Sequence, residues 1–136
     1  MSSFRILGTA LAVLAFSVQP IQSAHAEDSA VVAPLMLKDL PDVPGKEMLM
    51  ISVDYPPGYL GHVHRHDAHS IIYVLEGSVV MGVKGGKEVT LTPGQTFYEG
   101  PNDVHTVGRN ASTTKPAKLV VVLLKKKGAD VVLPAE

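Results

Sequence analysis

The 136-residue chain contains no cysteine and no tryptophan, and only 5% of its residues are aromatic. The absence of cysteine excludes disulfides, thiol catalysis, cysteine-ligated zinc and iron–sulfur clusters. The fold must therefore be stabilised by a hydrophobic core. A chain of this length forms one such core, so we expect one domain and not two.

The chain also lacks an excess of basic residues. It has 12 Lys and Arg against 13 Asp and Glu, which gives a formal net charge of −1. A protein that binds the phosphate backbone of a nucleic acid needs a basic surface. Nucleic acid is therefore not an expected partner.

Residues 1–26 have the three regions of a secretory signal peptide. Residues 1–5 are short and carry one positive charge, residues 6–18 are apolar, and residues 19–26 end in Ala-His-Ala. The apolar run is shorter than the roughly 20 residues that span a bilayer. We expect cleavage after Ala26, export to the periplasm or the exterior, and no membrane attachment of the mature chain.

The rest of the sequence lacks sustained helical periodicity. Short apolar segments with Gly and Pro turns every 8 to 12 residues are typical of an all-β sandwich or barrel. We expect a lead-in over residues 27–45, with a first short strand or turn at 35–40, and one β domain over 46–133. The predicted strands of that domain are 46–55, 71–75, 78–83, 87–91, 95–99, 104–107, 119–124 and a last one at 131–133.

The six consecutive non-polar residues at 119–124 predict a strand that is covered on both faces. A homodimer interface is one way to cover the second face, so a homodimer is one prediction from this strand, with a monomer also feasible at this chain length.

Four of the six histidines lie within residues 58–77, and three of them alternate: His62, His64 and His66. In an extended strand, alternate residues point to the same face. Neutral imidazole is the commonest protein ligand of Zn, Cu, Fe and Ni. The pattern predicts a metal site, and the alternative is a merely polar or pH-responsive cluster.

The spacing around these histidines resembles the first sequence motif of the cupins, which are small double-stranded β-helix or jelly-roll barrels. In that motif a Gly is followed by His-x-His, a Glu and a second Gly. Here Gly58, His64, His66 and Gly77 have this spacing.

The second cupin motif is also present in part. Gly94 and His105 fall at its Gly and His positions, and residues 100–102 stand where Pro-x-Gly is expected. Asn110 lies one residue later than the Asn of the motif. The resemblance covers residues 48–124.

The resemblance implies a single-domain all-β cupin barrel in which His64, His66 and His105 bind a divalent transition metal (Zn, Fe, Mn, Ni or Cu). The family's fourth ligand, a Glu, should fall at position 70 or 71, but this chain has Ser70 and Ile71. Three neutral imidazoles alone leave the charge of the ion uncompensated and favour an anionic ligand or a substrate oxygen.

Three residues could replace the expected Glu. We rank His69 first, although in a regular strand it faces away from Ser70 and would need a bulge to turn inward. Glu99, which could approach from an opposite strand, is second, and His62 is third. Each of them could instead orient a ligand or a water molecule from outside the coordination shell.

Two functions fit this pattern. One is an exported metal-dependent enzyme of the cupin dioxygenase type, with a small molecule as its substrate. The other is a non-catalytic cupin that binds a metal or a small ligand. No general acid or base beside the histidines is evident from the sequence, so whether the chain is an enzyme stays open at this point.

Overall fold

The structure is a computed structural model that describes residues 29–135, and all regular secondary structure in this part of the chain is β-strand. The predicted all-β class is therefore confirmed. The predicted signal peptide, residues 1–26, lies outside the described residues and stays a prediction. The ten strands are β1 (Val31–Asp39), β2 (Lys46–Tyr55), β3 (His64–Arg65), β4 (Ala68–Glu76), β5 (Val79–Val83), β6 (Val89–Leu91), β7 (Thr96–Glu99), β8 (Val104–Asn110), β9 (Ala117–Lys126) and β10 (Leu133–Pro134).

The strands form two antiparallel five-stranded sheets. One has the order β1-β2-β9-β4-β7 and the other has the order β10-β3-β8-β5-β6. Most neighbours within a sheet are distant in sequence, because the chain crosses repeatedly between the two sheets. This is the jelly-roll arrangement that the resemblance to the cupins implies, and it leaves the two inner faces to enclose one core.

Alternation of buried and exposed residues determines which side chains enter that core. Along β4 the residues Ser70, Ile72 and Val74 are buried, whereas Ile71 and Tyr73 are exposed. Strand β9 shows the same period of two, with Leu119, Val121 and Leu123 directed inward. A period of two places successive side chains on opposite faces of a sheet.

The outer face of β9 is half-buried along Val120, Val122 and Leu124. The homodimer that we predict from this strand stays a prediction, because the structure contains one copy of the chain. No helix among the described residues is long and apolar enough to cross a membrane.

The first strand is longer than the sequence suggests. We predicted a loosely docked segment and a short strand or turn at 35–40, but β1 runs from Val31 to Asp39 and pairs with β2. All nine of its residues are exposed, so no inward and outward alternation marks the strand. It is an edge strand with a register shift between Pro34 and Met36, and backbone pairing rather than burial defines it.

Candidate metal centre

Three neighbouring segments bring His64, His66 and His105 together. His64 lies on β3, His105 lies on β8, and the two are directly opposed in the antiparallel pairing of these strands. His66 lies in the short connection between β3 and β4. One ring nitrogen from each histidine falls within 4.8 Å of the others. The structure thus groups the three imidazoles that the cupin resemblance implies as ligands.

Each of the three rings donates one hydrogen bond to a backbone carbonyl. The pairs are His64 Nδ1 with the oxygen of His62 at 2.8 Å, His66 Nδ1 with the oxygen of Val131, and His105 Nε2 with the oxygen of Val107 at 2.6 Å. A neutral imidazole has a single N–H, and a carbonyl can only accept, so these contacts assign the protonated nitrogen in each ring. The other nitrogen of each ring is then an unprotonated acceptor, as a metal ligand must be.

The inward nitrogens of His64 and His66 face each other. The two Nε2 atoms are 3.1 Å apart, and the proton of each ring is already engaged by a carbonyl on its other side. Two lone pairs at this distance repel unless a cation lies between them. A zinc–nitrogen bond is about 2.0–2.1 Å long, so one ion can contact both atoms. The donor set therefore fits a metal ion.

Glu99 adds a buried carboxylate to the three imidazoles. The residue is 2% exposed, with Oε1 at 2.6 Å from His105 Nδ1 and Oε2 at 3.7 Å from His66 Nε2. Oε1 has no aligned hydrogen-bond donor among the described residues. With the single proton of a neutral His105 ring on Nε2, where it meets the Val107 carbonyl, this close approach joins two acceptors. A buried carboxylate oxygen without a donor is costly, and a cation between these groups would remove that cost.

Ser70 occupies the position at which the cupin motif has its Glu. It is fully buried, and its Oγ has no partner among residues 29–135. Ser70 lies directly opposite Glu99 in the pairing of β4 with β7. The cupin motif would place a carboxylate on β4 at this position. In this chain a carboxylate is instead present at Glu99, on the neighbouring strand β7 and directly opposite Ser70. The sequence alone could not reveal this, because the register between two strands is not encoded in the spacing along either one.

The structure does not bring His69 or His62 into the group. His69, our first-ranked replacement, lies on the exposed outer face of β4, and its Nδ1 is 2.7 Å from the hydroxyl of Tyr98. No bulge turns it inward, because Ser70 keeps the inward position. The ring of His62 is exposed, and it is the backbone carbonyl of this residue that contacts His64.

Burial also favours the ligating form of His64. Removal of the ring from water lowers the pKa of His64, and the nearby His66 and His105 act in the same direction. The hydrogen bond to the His62 carbonyl and the charge of Glu99 oppose this shift without reversing it. A lowered pKa keeps the imidazole neutral at lower pH, and the neutral form is the one that binds metals.

The site opens onto a cavity of about 300 Å³ inside the barrel. Apart from the three histidines, Ser70, Glu99 and two tyrosines, the wall is aliphatic. It is formed by Ala30, Val32, Ile51, Val53, Ile72, Met81, Leu119, Val121, Leu123, Val131 and Val132. The rings of Tyr55 and Tyr59 lie 4.4 Å apart, and burial raises the pKa of both hydroxyls, so both are neutral phenols. No lysine or arginine of the described part of the chain lines the cavity.

Gly108 allows the close packing beside His105. A Cβ at this position would lie 2.7 Å from His105 Nε2, so any side chain would displace the ring. This glycine was not identified from the sequence, because it falls at a position after His105 where the second motif specifies no residue type.

Comparisons with known proteins agree with this architecture. The family model described as "Cupin domain" matches residues 51–123. A search of curated proteins finds no significant match. Among solved structures, the TT1209 protein from Thermus thermophilus is 27% identical with a TM-score of 0.59, and the match covers 76% of this chain and 90% of that one.

Two enzymes are also among the similar structures. The DMSP lyase DddQ from Ruegeria pomeroyi is 22% identical with a TM-score of 0.57, over 63% of this chain and 42% of that one. An oxalate oxidase in complex with the substrate analogue glycolate is 22% identical with a TM-score of 0.59, over 84% of this chain and 61% of that one. The chain thus spans less than two thirds of either enzyme, and at these identities the likeness shows the fold alone. Since the family model covers more than half of the sequence, this chain belongs to the cupin domain family.

Proposed function

We propose that the protein is an exported, single-domain, metal-binding cupin that acts as an oxygenase-type enzyme on a small, largely apolar molecule. The observation that carries the proposal is the arrangement of acceptors at the cavity wall. Three imidazoles donate their protons away from the site, and the Glu99 carboxylate lies beside the free nitrogens of His105 and His66, without a donor for Oε1 in the described part of the chain. These groups open onto an internal space that a ligand could occupy.

The residues His64, His66, His105 and Glu99 would hold the ion. Four ligands of this kind suit Zn, Fe, Mn, Ni or Cu, and the single carboxylate reduces the net charge of the occupied site from +2 to +1. When bound, such an ion polarises a substrate oxygen and, if it is redox-active, supplies one-electron chemistry.

The cavity indicates the class of ligand. Its volume of about 300 Å³ is at the lower end of the range for small-molecule pockets, so the ligand must be small. The mainly aliphatic wall excludes water from an apolar ligand body, whereas the strongly polar groups of the lining are gathered at the site. A small molecule with an apolar body and one oxygen directed at the site fits best. Tyr55 and Tyr59 can each donate one hydrogen bond to it.

The test is metal analysis of the mature chain, residues 27–136, purified without a histidine tag. Elemental mass spectrometry should find one equivalent of a divalent transition metal. Oxygen consumption is then measured with a panel of small hydroxylated aromatic and aliphatic compounds. Bound Fe, Mn or Cu with substrate-dependent oxygen uptake supports the proposal. No metal binding, even after reconstitution, contradicts it.

One observation favours a second function, a non-catalytic metal or ligand carrier. Besides the groups at the site, the titratable side chains that residues 29–135 contribute to the cavity wall are the two neutral phenols. Neither is a strong base at neutral pH. Stoichiometric Zn or Ni with no oxygen uptake would favour this carrier over the enzyme.

Export is supported by the three-region pattern of residues 1–26. Expression of the full chain in a bacterial host, followed by intact-mass measurement of the periplasmic fraction, tests it. A mature N-terminus at Glu27 is the expected result. Retention of the full-length chain in the cytoplasm would contradict export.

A further inference from the structure

The three histidines differ in where their carbonyl acceptors come from. The acceptors of His64 and His105 are two residues away along the chain. The acceptor of His66 is the carbonyl of Val131, which is 65 residues away. The orientation of His66 therefore depends on a remote part of the chain, whereas the other two orientations are local.

That remote part is residues 127–134, which we name the C-terminal strap. The strap ends in β10, where Leu133 and Pro134 pair with Arg65 and His64 on β3. The strap begins with a turn at residues 127–128. Between this turn and β10, Val131 and Val132 form part of the cavity wall. The strap thus lies along the histidine-bearing strand and borders the same cavity as the candidate metal centre.

A buried ion pair connects the start of the strap to the barrel. Glu47 on β2 and Lys125 on β9 are directly opposed, 5% and 4% exposed, with Lys125 Nζ at 2.5 Å from Glu47 Oε1. Each partner uses a further hydrogen bond on the strap. Lys125 Nζ donates to the oxygen of Ala129 at 2.6 Å, and Gly128 N donates to Glu47 Oε1 at 3.1 Å.

A buried ion pair is a weak contributor to stability, because desolvation of both charges offsets much of their attraction. The Glu47–Lys125 pair contributes more by holding neighbouring groups in place than by its own energy. It keeps its geometry only when its remaining donors and acceptors are also satisfied. Here two of those extra bonds go to adjacent residues of one turn. The pair thus fixes the point from which the chain continues to Val131.

We propose that the C-terminal strap is a positioning element for the metal centre: the Val131 carbonyl holds the Nδ1 proton of His66 and so directs its Nε2 into the site, and the Glu47–Lys125 pair anchors the strap. Outer groups of this kind set the tautomer and orientation of a ligating imidazole, and their loss lowers metal affinity by about 10- to 100-fold. The inference rests on the proposed metal site, but its effect on the His66 ring exists without metal.

The first experiment compares two truncations of the mature chain. One ends at Pro134 and retains the strap, and the other ends at Asp130 and removes the Val131 carbonyl with β10. In the metal-free proteins at pH 8, above the ordinary histidine pKa of about 6.5, long-range ¹H–¹⁵N correlation spectra report which ring nitrogen carries the proton. We expect His66 alone to lose its fixed Nδ1–H form in the shorter chain, while His64 and His105 keep theirs.

Zinc affinity is then measured by competition with a chelating dye. The chain that ends at Pro134 should bind like the full mature chain, and the chain that ends at Asp130 should bind at least about tenfold more weakly. An unchanged His66 tautomer with affinity within about twofold would overturn the inference. An equal change in all three histidines would also overturn it, because that result indicates general loosening of the barrel.

A full-length variant keeps the inference testable if the shorter chain does not fold. The double substitution Glu47→Met with Lys125→Met removes both side-chain bonds to the strap and leaves no unpaired buried charge. We expect the same selective change at His66 and a severalfold loss of zinc affinity, with Lys127→Met, which removes an exposed ion pair to Asp39, as the control. Wild-type behaviour of the double variant would contradict the anchoring role. If the wild-type chain binds neither zinc nor any other divalent transition metal, the proposed function fails, whereas the spectra still decide the role of the strap.

Discussion

The two faces of β4 place neighbouring residues in opposite environments. His69 and Ile71 are exposed to solvent, whereas Ser70 and Ile72, one residue away from each, are buried in the wall of the cavity. The histidine on the outer face contacts Tyr98 rather than the site. The comparison teaches that the side of the sheet, rather than the residue type or the proximity in sequence, decides whether a side chain can serve the site.

The largest expected effect separates an inner histidine from an outer one. His64→Ala should abolish stoichiometric metal binding, because it removes one of three inward imidazoles. His69→Ala should leave the metal content unchanged, because its ring is on the opposite face of β4. Elemental analysis of both purified variants measures the difference. Equal metal loss in the two variants would show that the faces are assigned wrongly.

The second effect concerns stability and uses the same residue type on the two faces. Ile72→Ala should lower the free energy of unfolding by about 2–3 kcal/mol, in the lower part of the range for buried Ile, because Ile72 already borders a cavity. Ile71→Ala, at a position that is 51% exposed, should cost less than about 1 kcal/mol. Chemical denaturation of the metal-free proteins measures both. Similar costs would indicate that the outer face is covered in solution.

The third effect tests the carboxylate on β7. Glu99→Gln keeps the shape of the side chain and removes its charge, so metal affinity should fall by about 10- to 100-fold. The stability of the metal-free protein should not fall, because the native carboxylate is buried without a donor for Oε1 among the described residues. Tyr98→Phe, on the adjacent outward position, is the control in chelator competition. Unchanged affinity in Glu99→Gln would remove Glu99 from the ligand set.

The smallest effect concerns the residue at the position of the motif's Glu. Ser70→Ala removes a hydroxyl that has no partner in the described part of the chain, so it should change the unfolding free energy by no more than about 1 kcal/mol, toward higher stability. Thermal or chemical denaturation measures this change. A clear loss of stability would mean that Ser70 Oγ hydrogen-bonds to a water molecule or a ligand in solution.

The sequence was sufficient for the fold class and for most of the site. Short apolar segments between Gly and Pro turns predicted the strands β2, β4 and β9, and the two motif spacings were sufficient to group His64, His66 and His105. The spacings carry this information because the barrel topology fixes where each motif strand lies. Strand β1 was underestimated, because an exposed edge strand has no burial pattern to detect.

The rest of the site depends on information that no single stretch of sequence contains. Glu99 reaches the histidines through the register of β4 with β7, and Val131 reaches His66 through a segment 65 residues away. We ranked His69 above Glu99 because His69 is next in sequence to the position of the expected Glu. Strand geometry makes immediate neighbours the worst candidates, since they point in opposite directions.

The position of Glu99, directly opposite Ser70 on the neighbouring strand, affects how such barrels are classified. A scan that requires an acid at a fixed interval after His-x-His would label this chain a degenerate member without an ion. Counting donors in space, whichever strand supplies them, gives three histidines and adds Glu99 as the fourth ligand that we propose. Cupin barrels that lack an acid at the motif position should therefore be re-examined for a carboxylate at the paired position of the neighbouring strand.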